Sequence, residues 1–330
     1  MYVHLWLVRL WNVWGSAMAP TIETVAIIGT GVVGRSWARV FSRAGCRTRL
    51  YDGDPAQVER ALAWLQECAV AEAADGDSAS VAAAMALVSG HTDLAEAVAG
   101  AGFVQESSPE RLSLKQPLFA VLERAAAPDT ILASSTSALD MTAIASGLAT
   151  AARCVVAHPV NPPHVIPAVE IVPGQMTDLA IVERTAALMR SVGQTPVVMN
   201  FYLNGFLLNR MQAALWQEAI HLVESGAADV EAVDAVIRDG LGLRWALMGP
   251  FGVGDTNADG GVREYFERYG PTLRGIMDEL GHVPALDAAQ IERLGQSTDV
   301  MNGVGSRPAR LAWRDRLIRR IIRLKGEERL

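Results

Sequence analysis

The chain has 330 residues, of which 50% are hydrophobic, and its formal net charge is −7. A chain of this length and apolar content can bury a large core, and its length predicts about two domains. The negative charge, with no basic cluster ahead of the C-terminal tail, argues against a nucleic-acid partner, because phosphate binding depends on clustered Lys and Arg.

The N-terminal leader is apolar and rich in Trp, but Arg9 interrupts it and the run is too short to span a bilayer. Met18 stands just ahead of the first predicted strand. We interpret the leader as the product of an upstream start codon, with a targeting signal as the alternative. The predicted division is a disordered leader at 1–20, a dinucleotide-binding domain at 21–203 and a helical substrate domain at 204–330.

A β-α-β unit opens the first predicted domain. Residues 24–28 form a β-branched strand, 29–34 a glycine-containing turn and 36–44 a helix, and 47–51 form the second strand. Next, Asp54 is a good N-cap with Pro55 at the first helical position, which predicts a helix at 55–74.

Strands and helices alternate through the rest of this domain. Further strands are predicted at 103–105, 131–133, 154–157 and 169–172, with helices at 112–126 and 180–192. Such alternation predicts an α/β fold, a Rossmann-type, doubly wound, mostly parallel sheet covered by helices on both faces.

From about Gly205 the pattern becomes helical. Apolar residues at 206–223 have helical spacing, Gly226 is a stop, and no convincing strand follows. The tail at 309–324 is amphipathic, and packing on its own domain or on a second subunit is favoured over a membrane surface. The second domain is therefore predicted to be all helix.

Cys46, Cys68 and Cys154 are odd in number and lack metal-type spacing. They predict neither a disulfide framework nor a metal site. A cytoplasmic location, in a reducing compartment, is the expectation.

The glycine turn predicts a dinucleotide site. Gly29 permits the tight turn, Gly31 lets the backbone approach a pyrophosphate, and Gly34 lets helix and strand pack closely. Asp52, at the end of the next strand, can accept hydrogen bonds from the adenine ribose and repel a 2′-phosphate, which favours NAD over NADP. Arg35 would complicate this if it turned toward that ribose, and a glycine turn that only connects two elements is the structural alternative.

A base with a carboxylate partner is predicted downstream. His158 ends an apolar strand, and Glu170 lies among apolar neighbours in the next one, where a lone ionised carboxylate would be costly. Pairing across the intervening turn would hold the imidazole and stabilise its cation after it removes a substrate proton. A structural core His with a surface Glu is the alternative.

Two further polar residues are candidates to hold a substrate oxygen. Ser137 follows a strand that ends at Ala133, at the carboxyl edge of the sheet where ligands of such folds bind, although alone it is a plausible N-cap. Asn209 is predicted one turn into a helix, where Asn has poor propensity and therefore needs another reason to be present.

At these residues the chain resembles the 3-hydroxyacyl-CoA dehydrogenase family. The family phrases are the A-S-x-T-S run ending at Ser137, the His-Pro-x-Asn-Pro turn at His158, the Glu twelve positions later, and G-F-x-x-N-R with Asn209. The resemblance implies an NAD-dependent enzyme that oxidises a CH-OH group, and a homodimer formed by the helical domain. It also implies that Glu110, which matches the family's E-N-L phrase, borders the nicotinamide.

Within the family, the phrases at 34–38, 158–163, 240–245 and 313–315 are most similar to the lambda-crystallin, or L-gulonate 3-dehydrogenase, branch. This implies oxidation at carbon 3 of a small 3-hydroxy acid. Residues 61–110 contain no Lys or Arg, so this stretch offers no cationic side chains to bind CoA phosphates. Arg244 is a candidate partner for a free substrate carboxylate, with an ordinary salt bridge as the alternative.

Three other interpretations stay open at this point. The chain fits a 3-hydroxybutyryl-CoA dehydrogenase proper or a carnitine 3-dehydrogenase. From another class, it fits a crystallin-like, dinucleotide-binding structural protein.

Overall fold

The computed structural model describes residues 22–74, 78–302 and 306–327. The chain divides into two compact units between Leu207 and Leu208. The predicted leader at 1–20 lies outside the described residues.

The first unit is built on one sheet, eight-stranded in the described part of the chain. In sequence order its strands are β1 Thr24–Ile28, β2 Arg47–Tyr51, β3 Val88–His91, β4 Phe103–Glu106, β5 Ile131–Ser134, β6 Cys154–Pro159, β7 Ala168–Pro173 and β8 Thr195–Val198. Their spatial order is β3-β2-β1-β4-β5-β6-β7-β8, and all neighbours are parallel except the antiparallel pair β6 and β7. The carboxyl ends of β1, β2, β4 and β5 therefore meet at one edge.

Helices cover both faces of this sheet. They are α1 Val32–Arg43, α2 Pro55–Ala74, α3 Ser78–Met85, α4 Leu94–Val98, α5 Leu112–Ala125, α6 Met141–Ile144 and α7 Leu179–Ser191, with a 3₁₀ turn at Ala151–Arg153. One buried cluster packs Trp37 and Phe41 of α1 against strand residues, and a second packs Phe119 and Leu122 of α5 against the opposite face. The predicted doubly wound α/β fold is confirmed.

Two edge strands and the start of α1 differ from the prediction. The strands β3 and β8 were not predicted, because Gly90 and Pro196 interrupt their short runs and both are poor strand residues. Helix α1 begins at Val32 and not at residue 36, so Gly34 lies inside the helix. The predicted turn is therefore shorter, and Gly34 serves helix packing.

In the described part of the second unit, every secondary-structure element is a helix. Its helices are α8 Leu208–Glu224, α9 Val230–Ala235, α10 Gly242–Trp245, α11 Pro250–Thr256, α12 Gly261–Glu279, α13 Ala288–Asn302 and α14 Arg307–Glu327, with a π-helical turn at Val236–Leu241. The prediction of an all-helical C-terminal region is confirmed. Within the residues described, no helix combines the length and apolar character needed to cross a bilayer.

The first helix of this unit begins two residues later than predicted. Gly205 and Phe206 have φ values of +76° and +49°, which lie in the left-handed region and cannot continue a right-handed helix. Asn209 is consequently the second residue of α8 and lies in its first turn, not one turn in. The argument from poor mid-helix propensity for Asn209 was therefore wrong.

Candidate active site

Three glycines shape the turn between β1 and α1. A Cβ atom on Gly29 would lie 2.7 Å from the Ser107 carbonyl carbon, and one on Gly34 would lie 1.9 Å from the Gly29 oxygen. A Cβ on Gly31 would meet no protein atom within 4 Å. Gly29, with φ +90°, and Gly34 are thus required by the backbone itself, whereas Gly31 faces open space at the start of α1. This arrangement fits a diphosphate set against backbone amides.

Asp52 stands beside this turn at the end of β2. Its Oδ2 accepts hydrogen bonds from the backbone N–H of Thr30 at 2.8 Å and from the Thr30 hydroxyl at 3.3 Å. Its Oδ1 accepts the Asp54 N–H at 3.1 Å. Arg35, by contrast, lies with its guanidinium 4.7 Å from the centre of the Trp64 ring. The carboxylate is held beside the glycine turn, in a position suited to a ribose diol.

A cavity of about 770 Å³ adjoins the turn and Asp52. Much of its wall is apolar, and a flat adenine ring suits such a slot. The apolar part of the lining includes Ile28, Val32, Leu94, Leu114, Leu118 and Val121.

His158 and Glu170 lie directly opposite one another across β6 and β7. Their side chains meet with His158 Nδ1 2.8 Å from Glu170 Oε2, and both residues are buried. An ionised carboxylate only accepts hydrogen bonds, so Nδ1 carries the hydrogen, and in the neutral imidazole Nε2 then has the lone pair. Nε2 makes no hydrogen bond to the part of the chain that the structure describes. The imidazole is therefore oriented by one nitrogen and able to take a proton on the other.

The segment before α8 supports this pair, a role that was not predicted from the sequence. The Leu207 N–H donates to Glu170 Oε1 at 2.8 Å, and the buried Phe206 ring lies 5.5 Å from the His158 ring, centre to centre. The two left-handed residues, Gly205 and Phe206, turn the chain so that this N–H faces the carboxylate. Phe206 is strained there because it is not a glycine, and strained residues are often found at functional sites.

Ser137 lies on the loop after β5, and Glu110 holds that loop. Glu110 Oε1 accepts the Thr136 hydroxyl at 2.6 Å, the N–H groups of Ser137 and Ala138 at 2.8 and 3.1 Å, and the Ser137 hydroxyl at 3.2 Å. Burial raises the pKa of Glu110, but these hydrogen bonds and the Lys115 charge outweigh it, so the pKa is lowered. From the family resemblance Glu110 was predicted to border the nicotinamide, and the contacts found here are with the Ser137 loop.

Asn209 and Arg244 belong to the second unit. Asn209 is partly exposed on α8. Arg244 is an exposed residue of α10 and forms no ion pair with any other described residue. The ordinary salt bridge that was the alternative for Arg244 is therefore absent from the described chain.

Known proteins share this fold and these domains. Residues 24–201 match the NAD-binding domain of 3-hydroxyacyl-CoA dehydrogenase, and residues 205–293 match its C-terminal domain. The lambda-crystallin homolog of Bos taurus is 43% identical over 92% of this chain and 96% of its own length. An L-carnitine dehydrogenase of Streptomyces griseus is 37% identical over 92% of this chain and 90% of its own length.

Solved structures agree with this assignment. An NAD+-dependent 5-formyl-3-hydroxy-2-methylpyridine 4-carboxylic acid 5-dehydrogenase superposes with a TM-score of 0.76 at 27% identity, over 92% of this chain and 98% of that one. The 3-hydroxybutyryl-CoA dehydrogenase of Escherichia coli superposes with a TM-score of 0.65 at 32% identity, over 72% of this chain and 49% of that one. The cofactor is NAD, and the resemblance predicted from the motifs is confirmed. The chain belongs to the 3-hydroxyacyl-CoA dehydrogenase family and is an NAD-dependent oxidoreductase that acts on a CH-OH group.

Proposed function

We propose that the protein oxidises the C3 hydroxyl of a small 3-hydroxy acid, L-gulonate-like in size and charge, to the 3-keto product, with His158 as general base. The observation that carries this proposal is the buried pairing of His158 Nδ1 with Glu170 Oε2 at 2.8 Å. Bound NAD supplies the hydride acceptor. The residues of the chain supply the base, its counter-charge and the groups that orient the alcohol.

The proton step follows from the arrangement of the pair. His158 Nε2 takes the hydroxyl proton as the hydride leaves carbon 3, and the imidazolium formed is stabilised by Glu170. Glu170 accepts hydrogen bonds from Leu207 N–H on one carboxylate oxygen and from His158 Nδ1–H on the other. The buried surroundings strengthen the attraction between the two charges.

Ser137 is proposed to hold the substrate oxygen through its hydroxyl. Asn209 is proposed as a second holder of that oxygen, on the resemblance to the family phrase. Arg244 is proposed as the partner of a substrate carboxylate, because a guanidinium pairs with a carboxylate through two parallel hydrogen bonds.

The absence of cationic residues from one region favours a free hydroxy acid over a CoA ester as the substrate. Residues 61–110, which include most of α2 and all of α3, contain no Lys or Arg to meet CoA phosphates. The relatives named lambda-crystallin homolog and L-carnitine dehydrogenase are similar over more of this chain than the E. coli 3-hydroxybutyryl-CoA enzyme. A carnitine 3-dehydrogenase is the second candidate, and the CoA-linked enzyme is the third.

A substrate panel tests this ranking. The reduced cofactor is followed by its absorbance with NAD and, in turn, L-gulonate, carnitine, 3-hydroxybutyrate and 3-hydroxybutyryl-CoA. We expect the highest kcat/KM with a free hydroxy acid, and about 100-fold less with the CoA ester, equivalent to roughly 2.7 kcal/mol. A strong preference for the CoA ester would overturn the argument from the missing cations.

A homodimer is proposed as well. The second unit exposes large apolar side chains, and such exposure to water is ordinarily unfavourable. Examples are Trp216 on α8, which is 58% exposed, and Phe251 on α11, which is 75% exposed. A second copy of the chain is the occupant that the family resemblance implies, and sedimentation equilibrium tests for it. The cytoplasm is the compartment proposed, with all three cysteines free of disulfides.

A further inference from the structure

A second buried ion pair lies where β4 and β5 end. Lys115 Nζ lies 2.8 and 2.9 Å from the two carboxylate oxygens of Glu106, and both side chains are almost wholly buried. Ser134 Oγ donates to Glu106 Oε2 at 2.6 Å, and Ser108 donates to Oε1 through its N–H at 2.6 Å and its hydroxyl at 2.5 Å. Burying charges is costly even when they are paired, so such a pair calls for a reason beyond stability.

The same lysine connects this pair to the Ser137 loop. Lys115 Nζ lies 3.7 Å from Glu110 Oε2. The other oxygen of Glu110 receives the four hydrogen bonds from Thr136, Ser137 and Ala138 described above. The ammonium, the carboxylate and the loop therefore form one continuous chain of contacts that ends at the Ser137 hydroxyl.

We propose that Glu110 and Lys115 are positioning residues for the reaction, acting through Ser137. Glu110 holds the backbone of the loop and accepts a hydrogen bond from the Ser137 hydroxyl. When substrate binds, a substrate oxygen takes the place of the Glu110 carboxylate as the partner of that hydroxyl. Lys115, anchored by Glu106, sets the position and the charge of Glu110. This inference rests on the proposed function, because it assigns Ser137 to the substrate oxygen.

The charge of Glu110 is needed for this role. Four donors converge on a single carboxylate oxygen, and charge-assisted hydrogen bonds of this kind are about twice as strong as neutral ones. A Gln at this position keeps the size of the side chain but loses the charge. It should therefore loosen the loop without emptying the space that Glu110 fills.

The chain offers a matched control on α5. Glu123 Oε1 accepts the Thr150 N–H at 2.7 Å and the Thr150 hydroxyl at 2.8 Å. Glu123 thus holds a loop in the same manner as Glu110, but that loop precedes β6, at the amino end of a strand. Glu123→Gln should change the stability as Glu110→Gln does, and it should leave kcat unchanged.

The experiment is a double-mutant cycle between Glu110 and Ser137. Glu110→Gln is expected to lower kcat by about 10- to 100-fold in the wild-type background and by about twofold or less in Ser137→Ala. The NAD dissociation constant, measured from Trp fluorescence, should change by about twofold or less in Ser137→Ala and Glu123→Gln. Glu123→Gln should leave kcat within about twofold of wild type in both backgrounds.

A second measurement does not depend on turnover. Amide hydrogen exchange of the peptide around 134–139 should become faster in Glu110→Gln and stay unchanged in Glu123→Gln. The same acceleration is expected in the Glu106→Gln/Lys115→Met double variant, which removes both buried charges together and so avoids leaving one unpaired. This pair of substitutions keeps the test valid if Lys115→Met alone fails to fold.

Three outcomes would overturn the inference. They are unchanged loop exchange in Glu110→Gln, a kcat effect of equal size in the Ser137→Ala background, or a weaker NAD affinity with normal kcat. If the wild-type protein turned over none of the hydroxy acids, the proposed function would fail, and loop exchange alone would decide whether Glu110 holds the loop.

Discussion

Gly34 packs directly on the carbonyl of Gly29, so closely that a Cβ at Gly34 would lie 1.9 Å from the Gly29 oxygen. Gly34→Ala must therefore displace the turn or the start of α1. We expect the unfolding free energy to fall by about 2 kcal/mol or more, as for other forced overpacking, and NAD affinity to fall with it. Thermal unfolding with and without NAD measures both quantities.

Gly31 provides the matched comparison, because a Cβ there would meet no protein atom within 4 Å. Gly31→Ala should leave the Tm of the free protein nearly unchanged. It should nevertheless weaken NAD binding by about tenfold or more, since the methyl group occupies the space that a diphosphate needs. Equal losses of stability in the two variants would contradict the roles given to these glycines.

Asp52 is expected to select NAD over NADP. Asp52→Asn keeps an oxygen that can accept the Thr30 N–H, but it removes the negative charge that repels a 2′-phosphate. The NAD dissociation constant should rise by about tenfold, and the ratio of NAD to NADP affinity should fall by more than that. Asp54→Asn is the control, since that carboxylate caps α2 and pairs with Arg60. Unchanged selectivity in Asp52→Asn would count against the site.

Glu170→Gln should impair His158 as a general base without leaving a cavity where the Glu170 side chain lies. A Gln side chain has one oxygen, so it cannot accept from both Leu207 N–H and His158 Nδ1–H as Glu170 does. We expect kcat to fall by about 100-fold or more, with NAD affinity retained, because the imidazole loses its counter-charge and its fixed tautomer. Glu183→Gln, on the exposed side of α7, should turn over normally. Normal kcat in Glu170→Gln would contradict the pairing.

The cysteines should differ in reactivity. Burial raises the pKa of Cys154 to about 12, and it also raises the pKa of Cys46. At pH 8 about one Cys154 in ten thousand is a thiolate, and the thiolate is the reactive form. Native protein treated with iodoacetamide should therefore be labelled first at the partly exposed Cys68. Mass spectrometry that found Cys154 labelled as fast as Cys68 would refute this expectation.

The sequence predicted the centre of the sheet well and its edges poorly. Strands such as β1 and β5 are apolar runs bounded by turn residues, and buried strands of a parallel sheet carry this signal. The short strand β3 contains Ser and Gly and, among the described strands, pairs only with β2, so its formation depends on a neighbour that is distant in sequence. Edge pairing of this kind leaves little trace in local composition.

The candidate site shows the same contrast between local and long-range signals. Glu170 could be suspected of having a partner, because a carboxylate among apolar strand residues needs one. Lys115 gave no such signal, since a lysine in a helix is ordinarily exposed, and its partner Glu106 lies on a separate element. The Leu207 N–H was equally hidden, because every residue has a backbone amide.

The substitution of His158 tests the central claim most directly. His158→Ala and the wild-type protein are compared at saturating NAD and hydroxy acid, after fluorescence titration has established that both bind NAD equally. We predict that kcat falls by about 100- to 10,000-fold, the contribution expected of a general base. Turnover within a few-fold of the wild type, with NAD bound normally, would contradict the account.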